Sequence, residues 1–441
     1  MIAAKAAGTV MNSIMNDLYP EKLYVELTTR CNLHCRMCVK YAAGSRIVEE
    51  DLPLAVFKNL KSSLAHTKTL ILNGIGEPLL HLDLERIIRF ARAHMPPGAT
   101  IGFQSNGLLL DEEKSLDLIS TGLSTICLSL DSLEDTPVNS SEHSFAAVSK
   151  AIKSLVAAKS QVGAGHVRIG LEIVLTKQTI GDLPRFVQWA ADHGVTFVIA
   201  THLLLYNKTT EELSLFNPNS LEALQLFKSY NDRATAQGIN LATGLSAYLK
   251  FNKTKADKAA AQLFQELQQE AHDRDIRLHL QSLFEHSTGE AEKVVLVFAE
   301  AQAVAARNGI ELFLPSQQAL SKRSCPFIAE QAVFIAANGA VMPCHFLWHT
   351  YSCRVLGEEV PVQEHAFGTI KKQPLEKIWQ SLEYTRFRQE AGRYDYASCW
   401  SCSMGPCASL VNDNILTAND CFGSQVPCGH CQWNLGGFHC L

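Results

Sequence analysis

The chain has 441 residues, of which 47% are hydrophobic and 19% are charged, and this composition excludes a disordered protein. Thirty-nine Lys and Arg against 44 Asp and Glu give a net charge of −5, so neither nucleic acid nor an anionic membrane is an expected partner. The sequence contains no apolar run of about 18 residues and no clear secretion signal, which favours a cytoplasmic protein.

Residues 22–205 alternate between strand-like and helix-like segments. Short β-branched or apolar runs predict six strands at 22–27, 69–72, 100–104, 125–130, 168–175 and 195–201. Apolar residues at helical spacing predict helices at 51–66, 82–94, 145–158 and 183–194. The alternation predicts an α/β domain with a parallel sheet, whose strand C-termini form one rim where function collects.

Three cysteines follow the first strand: Cys31, Cys35 and Cys38, in the sequence CNLHCRMC. Their thiolates are soft ligands suited to iron–sulfur clusters, and three of them leave one iron of a four-iron cluster open for chemistry. The alternative is a zinc site completed by His34 or by a distant ligand.

Glycine and polar residues follow the next strands at the same rim. After the second strand comes NGIGEP, where Gly74 and Gly76 would let a ligand approach the backbone, unless the segment is an ordinary βα turn. The third strand ends in SNG, which is equally a plain Asn-Gly turn, and Asp131 after the fourth strand has a helix cap as its alternative.

Single residues of the later strands have more than one interpretation. Glu172 in the fifth strand points towards a bound ligand or pairs with a core cation. His202, after the sixth strand, is more typical of a structural residue than of a catalytic one. Cys127, inside an apolar strand, is expected to be a buried small hydrophobe.

The remainder of the chain has a different character. Residues 206–309 are mostly helical, with helices at 221–237, 254–272 and 291–308, each followed by a strand-like piece at 238–241, 276–280 and 310–314. These three units form a loose repeat, or one of them closes the sheet and two form an insertion. Ten of the 14 cysteines lie from Cys325 to Cys440, around one predicted helix at 374–392.

The cysteine motif after a first strand resembles the radical S-adenosylmethionine (SAM) superfamily. The resemblance implies a partial (β/α)6 barrel in residues 1–205, one 4Fe-4S cluster with an open iron, and reductive cleavage of SAM to a 5′-deoxyadenosyl radical. It also implies that Gly74, Gly76 and Glu77 contact or position the cofactor's amino group. The remaining cofactor-binding residues that it implies are Ser105, Asn106, Ser129, Asp131 and Thr201.

The distal cysteines resemble a SPASM domain, expected at 310–441, with 206–309 as a helical insertion or linking region. Cys325, 13 residues, Gly339, four residues and Cys344 match its opening, and the resemblance implies two auxiliary 4Fe-4S clusters. Cys353 is the thiol that the pattern does not require, and a zinc ribbon is the alternative. The predicted distal ligands are Cys325, Cys344, Cys399, Cys402, Cys407, Cys421, Cys428, Cys431 and Cys440.

The resemblance therefore implies an enzyme that abstracts hydrogen from an unactivated C–H bond, oxidising or crosslinking a peptide or protein. A small-molecule dehydrogenase or epimerase of the same family is the alternative. A reductant such as flavodoxin or ferredoxin is the expected protein partner. Two interpretations from other classes are a non-catalytic iron–sulfur electron carrier and a zinc-stabilised binding protein. No residue is identified as a catalytic acid or base.

Overall fold

The computed structural model describes residues 18–134, 144–283, 288–317, 324–355, 357–393, 428–439 and 441. Nine strands form its central sheet: β1 (Lys22–Val25), β2 (Thr69–Ile71), β3 (Thr100–Ser105), β4 (Thr125–Ser129), β5 (Arg168–Leu175), β6 (Phe197–His202), β7 (Glu311–Phe313), β8 (Ala332–Ile335) and β9 (Val341–Met342). The order across the sheet is β7-β6-β5-β4-β3-β2-β1-β8-β9.

The predicted parallel α/β core is confirmed. Strands β1 to β6 are parallel and lie side by side in chain order, as right-handed βα units require. The sheet extends beyond these six strands, because β7 pairs in parallel with β6 and β8 pairs in parallel with β1. Strand β9 is antiparallel to β8. The sheet therefore recruits strands from outside residues 1–205.

Helices cover the sheet and build the middle of the chain. Those before β7 are α1 (Leu54–Phe57), α2 (Lys61–Leu64), α3 (Leu84–His94), α4 (Glu112–Ile119), α5 (Phe145–Gln161), α6 (Leu183–Asp192), α7 (Lys208–Glu211), α8 (Leu221–Ala236), α9 (Gly244–Leu249), α10 (Lys255–Asp273), α11 (Leu280–Leu283) and α12 (Thr288–Asn308). After β7 come α13 (Pro326–Ala329), α14 (Leu375–Trp379) and α15 (Leu382–Gly392). The sequence pattern had not indicated α4.

The two faces of the sheet are packed differently. On β1, Leu23 and Val25 belong to the main apolar cluster shared with the covering helices, whereas Tyr24 belongs to a cluster on the other face. This alternation follows from the two-residue period of a strand. On that other face, buried Cys127 packs with Phe197 and Ile199, as expected of a small hydrophobe.

The middle of the chain divides into two parts. Helix α12 contributes Phe298 and Ala301 to the main cluster, and β7, which follows it, joins the sheet. Helices α8 and α10 bury a separate cluster that includes Leu224 and Leu267. The third helix–strand unit thus closes the sheet and the first two form the insertion. The strands expected at 238–241 and 276–280 were wrong, because neither segment pairs with another strand among the described residues.

The carboxy-terminal region contains a hairpin of β10 (Tyr351–Val355) and β11 (Glu358–Val362). The single helix expected at 374–392 is two helices, α14 and α15. The second helix begins at a new N-cap, because the Ser381 hydroxyl accepts a hydrogen bond from the Tyr384 backbone N–H. Among the described helices, none is long and apolar enough to cross a membrane.

Candidate cofactor site at the rim of the sheet

A cavity of about 360 Å³ lies where the parallel strands end. Residues at the carboxyl ends of six strands, or in the loops that follow them, line it, together with segments of the carboxy-terminal region. The cavity brings together every predicted residue of the radical site: Cys31, Cys35, Cys38, Gly74, Gly76, Glu77, Ser105, Asn106, Ser129, Asp131 and Thr201. Its volume falls within the range of about 300–1,000 Å³ that is typical of small-molecule sites.

The three cysteines lie on a tight loop that follows β1. The Cys38 backbone N–H donates to the Cys35 carbonyl oxygen at 3.1 Å, and a short 3₁₀ helix, Val39–Tyr41, follows. Burial raises the pKa of the Cys31 and Cys38 thiols, so these groups would release protons on binding a metal centre. His34, the alternative zinc ligand, stacks on Tyr41 with the ring centroids 4.6 Å apart.

A single buried carboxylate, that of Glu77, ties two rim loops together. Its Oε1 accepts hydrogen bonds from the Leu79 backbone N–H at 3.0 Å and from the Ser105 hydroxyl at 2.8 Å. Its Oε2 accepts one from the Asn106 backbone N–H at 2.8 Å. Burial raises the pKa of Glu77, while these donors act in the opposite direction. The carboxylate therefore positions the loops after β2 and β3.

The two glycines of the NGIGEP segment are required by the chain's own packing. A Cβ atom on Gly74 would lie 2.4 Å from Cγ of Glu26, and one on Gly76 would lie 2.2 Å from the Thr28 carbonyl oxygen. Both positions pack against the residues that follow β1. The glycines thus bring the loop after β2 against the loop that leads to the cysteines.

The loop after β3 has the features of a turn and also contacts the cysteine motif. The Asn106 side chain accepts a hydrogen bond from the Leu108 backbone N–H at 3.0 Å, as an Asx turn does. Its amide nitrogen donates to the Asn32 side-chain oxygen at 2.8 Å. The turn and site interpretations of this segment are therefore compatible.

Two carboxyl groups lie close together, one just after the end of β4 and one on β5. Asp131 accepts a hydrogen bond from the Val174 backbone N–H on the neighbouring strand at 2.9 Å. Glu172 pairs in register with Ser129 and lines the cavity. Burial, and secondarily the charge of Asp131, raises the pKa of Glu172 to about 8. An uncharged carboxylic acid therefore faces the cavity at neutral pH.

Several buried polar atoms of the cavity residues lack a hydrogen-bond partner within the described part of the chain. They are the Asn73 Oδ1, Thr201 Oγ1, His202 Nδ1, Trp348 Nε1 and Trp433 Nε1 atoms. Burial lowers the pKa of His202 to about 4, so its ring is neutral. Because buried polar groups are nearly always paired, this set fits a site that a polar ligand completes.

The far wall of the cavity comes from residues that the motifs did not indicate. His345 and Trp348 follow β9, while Trp433, Phe438 and His439 belong to the carboxy-terminal segment. The backbone N–H of His202 donates to the Gly437 carbonyl oxygen at 3.2 Å, which fastens this segment to the end of β6. Only the density of aromatic residues and histidines near the distal cysteines marked this region in the sequence.

A second set of cysteines lines a small cavity beside the first. Cys325, Cys344, Cys428 and Cys431 surround it, and Trp433 lines both cavities. Cys353 lies outside this set, next to Tyr206 and Tyr351 in another small cavity. Cys399, Cys402, Cys407, Cys421 and Cys440 lie outside the described residues. Within the described ranges, no three Cys, His, Asp or Glu side chains are close enough to share a single metal ion.

Comparison with known families identifies two regions. The model of the Radical SAM superfamily matches residues 25–190. The model of SPASM, described as an iron–sulfur cluster-binding domain, matches residues 325–403. Both matches confirm the resemblances stated from the cysteine motifs. The exact domain boundaries at 205 and 309 stay predictions.

Individual relatives cover the chain to different extents. The tungsten-containing aldehyde ferredoxin oxidoreductase cofactor-modifying protein of Pyrococcus furiosus is 26% identical over 93% of this chain and 94% of its own length. The mycofactocin maturase MftC of Mycobacterium tuberculosis is 25% identical over 51% of this chain and 54% of its own length. The crystal structure of Streptococcus suis SuiB bound to precursor peptide SuiA has 14% sequence identity and a TM-score of 0.46, over 91% of this chain and 74% of that one.

Proposed function

The chain belongs to the radical SAM superfamily and carries a carboxy-terminal SPASM domain, and on that premise we propose that it abstracts hydrogen from an unactivated C–H bond of a peptide or protein substrate. The observation that carries the proposal is the single cavity lined by the three cysteines, by residues at or just after the ends of β2 to β6, and by an aromatic wall of Trp348, Trp433 and Phe438. When bound, the 4Fe-4S cluster and SAM would supply a 5′-deoxyadenosyl radical there.

The chain's own residues have distinct roles in this proposal. Cys31, Cys35 and Cys38 would hold three irons of the cluster and leave the fourth accessible. The unpartnered side-chain oxygens of Asn73 and Thr201 would form hydrogen bonds with SAM. Glu77 would act through the loops that it fixes. These assignments rest on the cavity and on the unpartnered buried atoms.

The aromatic wall would hold the substrate and keep water from the reacting carbon. Trp348, Trp433 and Phe438 line the side of the cavity formed by the carboxy-terminal region. Excluding water protects reactive intermediates from side reactions, which a radical reaction requires. The unpartnered indole N–H groups of the two tryptophans would donate to carbonyl acceptors, which a peptide offers at every residue.

The distal cysteines support the proposal of two auxiliary clusters. Cys325, Cys344, Cys428 and Cys431 surround one cavity and would hold the first 4Fe-4S cluster. Burial raises the pKa of the Cys325 and Cys344 thiols, so these groups would release their protons on binding a metal centre. The five cysteines outside the described residues would supply the ligands of the second cluster.

Iron and sulfide analysis of anoxically purified protein tests the cluster assignment. We expect about twelve irons in the wild type and about eight when Cys31, Cys35 and Cys38 are all replaced by alanine. Cys127→Ala is the matched control and should retain all the iron, because Cys127 is buried among apolar side chains. Zinc without iron would overturn the proposal. Iron that does not support SAM cleavage with dithionite would favour a non-catalytic electron carrier.

A second candidate substrate is a small-molecule cofactor. The relative that aligns over nearly the whole chain is named for modifying the cofactor of a tungsten enzyme, whereas the mycofactocin maturase aligns over about half of it. An extract of source cells grown in deuterated medium, divided by ultrafiltration, would separate the two classes. Under the first proposal, incubating the enzyme with the macromolecular or short-peptide fraction should transfer deuterium to 5′-deoxyadenosine. Transfer from a protease-resistant, low-mass compound alone would select the second.

A further inference from the structure

The side chain of Glu26, directly after β1, is completely buried and joins two distant parts of the chain. Its Oε1 accepts a hydrogen bond from the Ile75 backbone N–H at 2.9 Å. Its Oε2 accepts one from the Ala337 backbone N–H at 3.1 Å and lies 3.1 Å from Nε2 of His349. One carboxylate therefore holds the loop after β2 and the carboxy-terminal region at the same time.

Both ends of this connection reach the cavity. Gly74 and Ile75 line it, and Gly74 packs so closely on Glu26 that a Cβ would lie 2.4 Å from the Glu26 Cγ atom. On the other side, His349 follows Trp348, which forms part of the aromatic wall. A shift of His349 would consequently act on the position of Glu26 and, through it, on the loop that bears Gly74.

We propose that Glu26 and His349 form a coupling pair, through which the position of the SPASM region controls the conformation of the loop after β2, which would bind SAM. This inference rests on the proposed function, since it concerns the same cofactor site. Both members are positioning residues and act through the Gly74–Ile75 backbone. Removing one partner of a buried hydrogen-bonded contact leaves the other without its partner, so the loop would be displaced in either variant.

A second contact between the same two regions provides a matched control. Lys22 at the start of β1 forms an ion pair with Glu330 at 2.7 Å, and the Glu330 side chain is half exposed. This pair lies at the opposite end of β1 from Glu26. Breaking it loosens the same interface without touching the loop after β2, and exposed ion pairs contribute little to stability.

The test measures SAM binding to full-length, anoxically reconstituted protein by equilibrium dialysis. Couplings between sites typically change affinity by roughly 5- to 150-fold, and we expect Glu26→Gln and His349→Leu each to raise the Kd for SAM at least about five-fold. Glu330→Gln should stay within about two-fold of the wild type. His349→Gln, which retains a donor that reaches Glu26, should recover part of the affinity.

Coupling is reciprocal, so SAM should also affect the SPASM region. Hydrogen exchange of the segment around His349 should slow when SAM binds to the wild type and to Glu330→Gln. In His349→Leu that response should be lost while the iron content stays unchanged, which a purely structural defect would not produce.

Each outcome bears on a different claim. Wild-type protein with a full iron complement that binds no SAM would overturn the proposed function itself. SAM binding by the wild type and by His349→Leu with equal affinity would overturn only the coupling. An equal loss of affinity in Glu330→Gln would also overturn it, because the effect would then be general loosening of the interface. If Glu26→Gln fails to fold, the two His349 variants decide the question.

Discussion

Replacing Glu172 by glutamine should stabilise the cluster-free protein at neutral and alkaline pH. The Glu172 side chain lines the cavity, and no donor or cation in the described part of the chain bonds to its carboxyl group. Burial and the neighbouring Asp131 raise the pKa of Glu172 to about 8. Glutamine has the same shape and no charge, so it removes the cost of ionising this group inside the fold.

The sign and size of the effect follow from linkage. The carboxyl of an unfolded chain has a pKa of about 4.3, so between about pH 4.3 and 8 the folded state binds one more proton than the unfolded state. The stability of the wild type therefore falls as pH rises through this window. A pKa shift from about 4.3 to about 8 corresponds to about 5 kcal/mol. Because Glu172 is only partly buried, we expect about 2–3 kcal/mol.

Urea unfolding of the cluster-free protein, followed by tryptophan fluorescence under reducing conditions from pH 5 to 9, measures this difference. The gap in unfolding free energy between Glu172→Gln and the wild type should widen with pH and level off above about pH 8. Glu292→Gln, at an exposed position of α12, is the control and should follow the wild type. A gap that stays constant or narrows with rising pH would refute the reasoning.

Three further predictions concern the site. Gly76→Ala should raise the Kd for SAM at least about ten-fold in equilibrium dialysis, because its Cβ would meet a backbone carbonyl oxygen at 2.2 Å. The control Gly165→Ala places its Cβ in open space and should leave the Kd unchanged, so equal SAM affinities of the two variants would contradict the packing argument. The buried Thr201 hydroxyl lacks a partner in the described structure, so Thr201→Val should leave the urea midpoint of the cluster-free protein unchanged or slightly higher. The same variant should weaken SAM binding several-fold, and an unchanged Kd for SAM would argue against a cofactor contact. In iron analysis, Cys428→Ala should lose about four irons and Cys353→Ala none, and the reverse result would require a different ligand set.

Local patterns predicted the sheet well because local chemistry determines it. Strands β1 to β6 are short apolar runs separated by helices with one apolar face, and the burial of both sheet faces leaves few other arrangements for such a chain. The same logic failed for 276–280, whose alternating pattern suggested a strand. There α11 begins at Leu280 instead, directly after His279, whose Nδ1 lies 2.8 Å from the Ser282 hydroxyl. Side-chain hydrogen bonds of this kind compete with strand pairing.

The candidate site was predictable only where each contributing loop carried its own motif. The cysteine loop, the NGIGEP segment and the SNG turn could be placed at one rim, because the C-termini of parallel strands share an edge. Trp433 and Phe438 could not be placed there, since they come from the end of the chain and no local pattern specifies which strand they meet. The grouping of Cys325 and Cys344 with Cys428 and Cys431 was hidden for the same reason.

The structure also changes the interpretation of residues that the sequence identified correctly. The glycines of NGIGEP were interpreted as space for a ligand, yet the space beside Gly74 is filled by Glu26 and that beside Gly76 by backbone carbonyl oxygens. The Glu77 carboxylate likewise accepts hydrogen bonds from two neighbouring loops. These residues would therefore shape the site by holding loops in register, and the atoms left for a ligand are the unpartnered ones, such as Thr201 Oγ1. A site built in this way should be sensitive to changes at the loop contacts even where no side chain touches the cofactor.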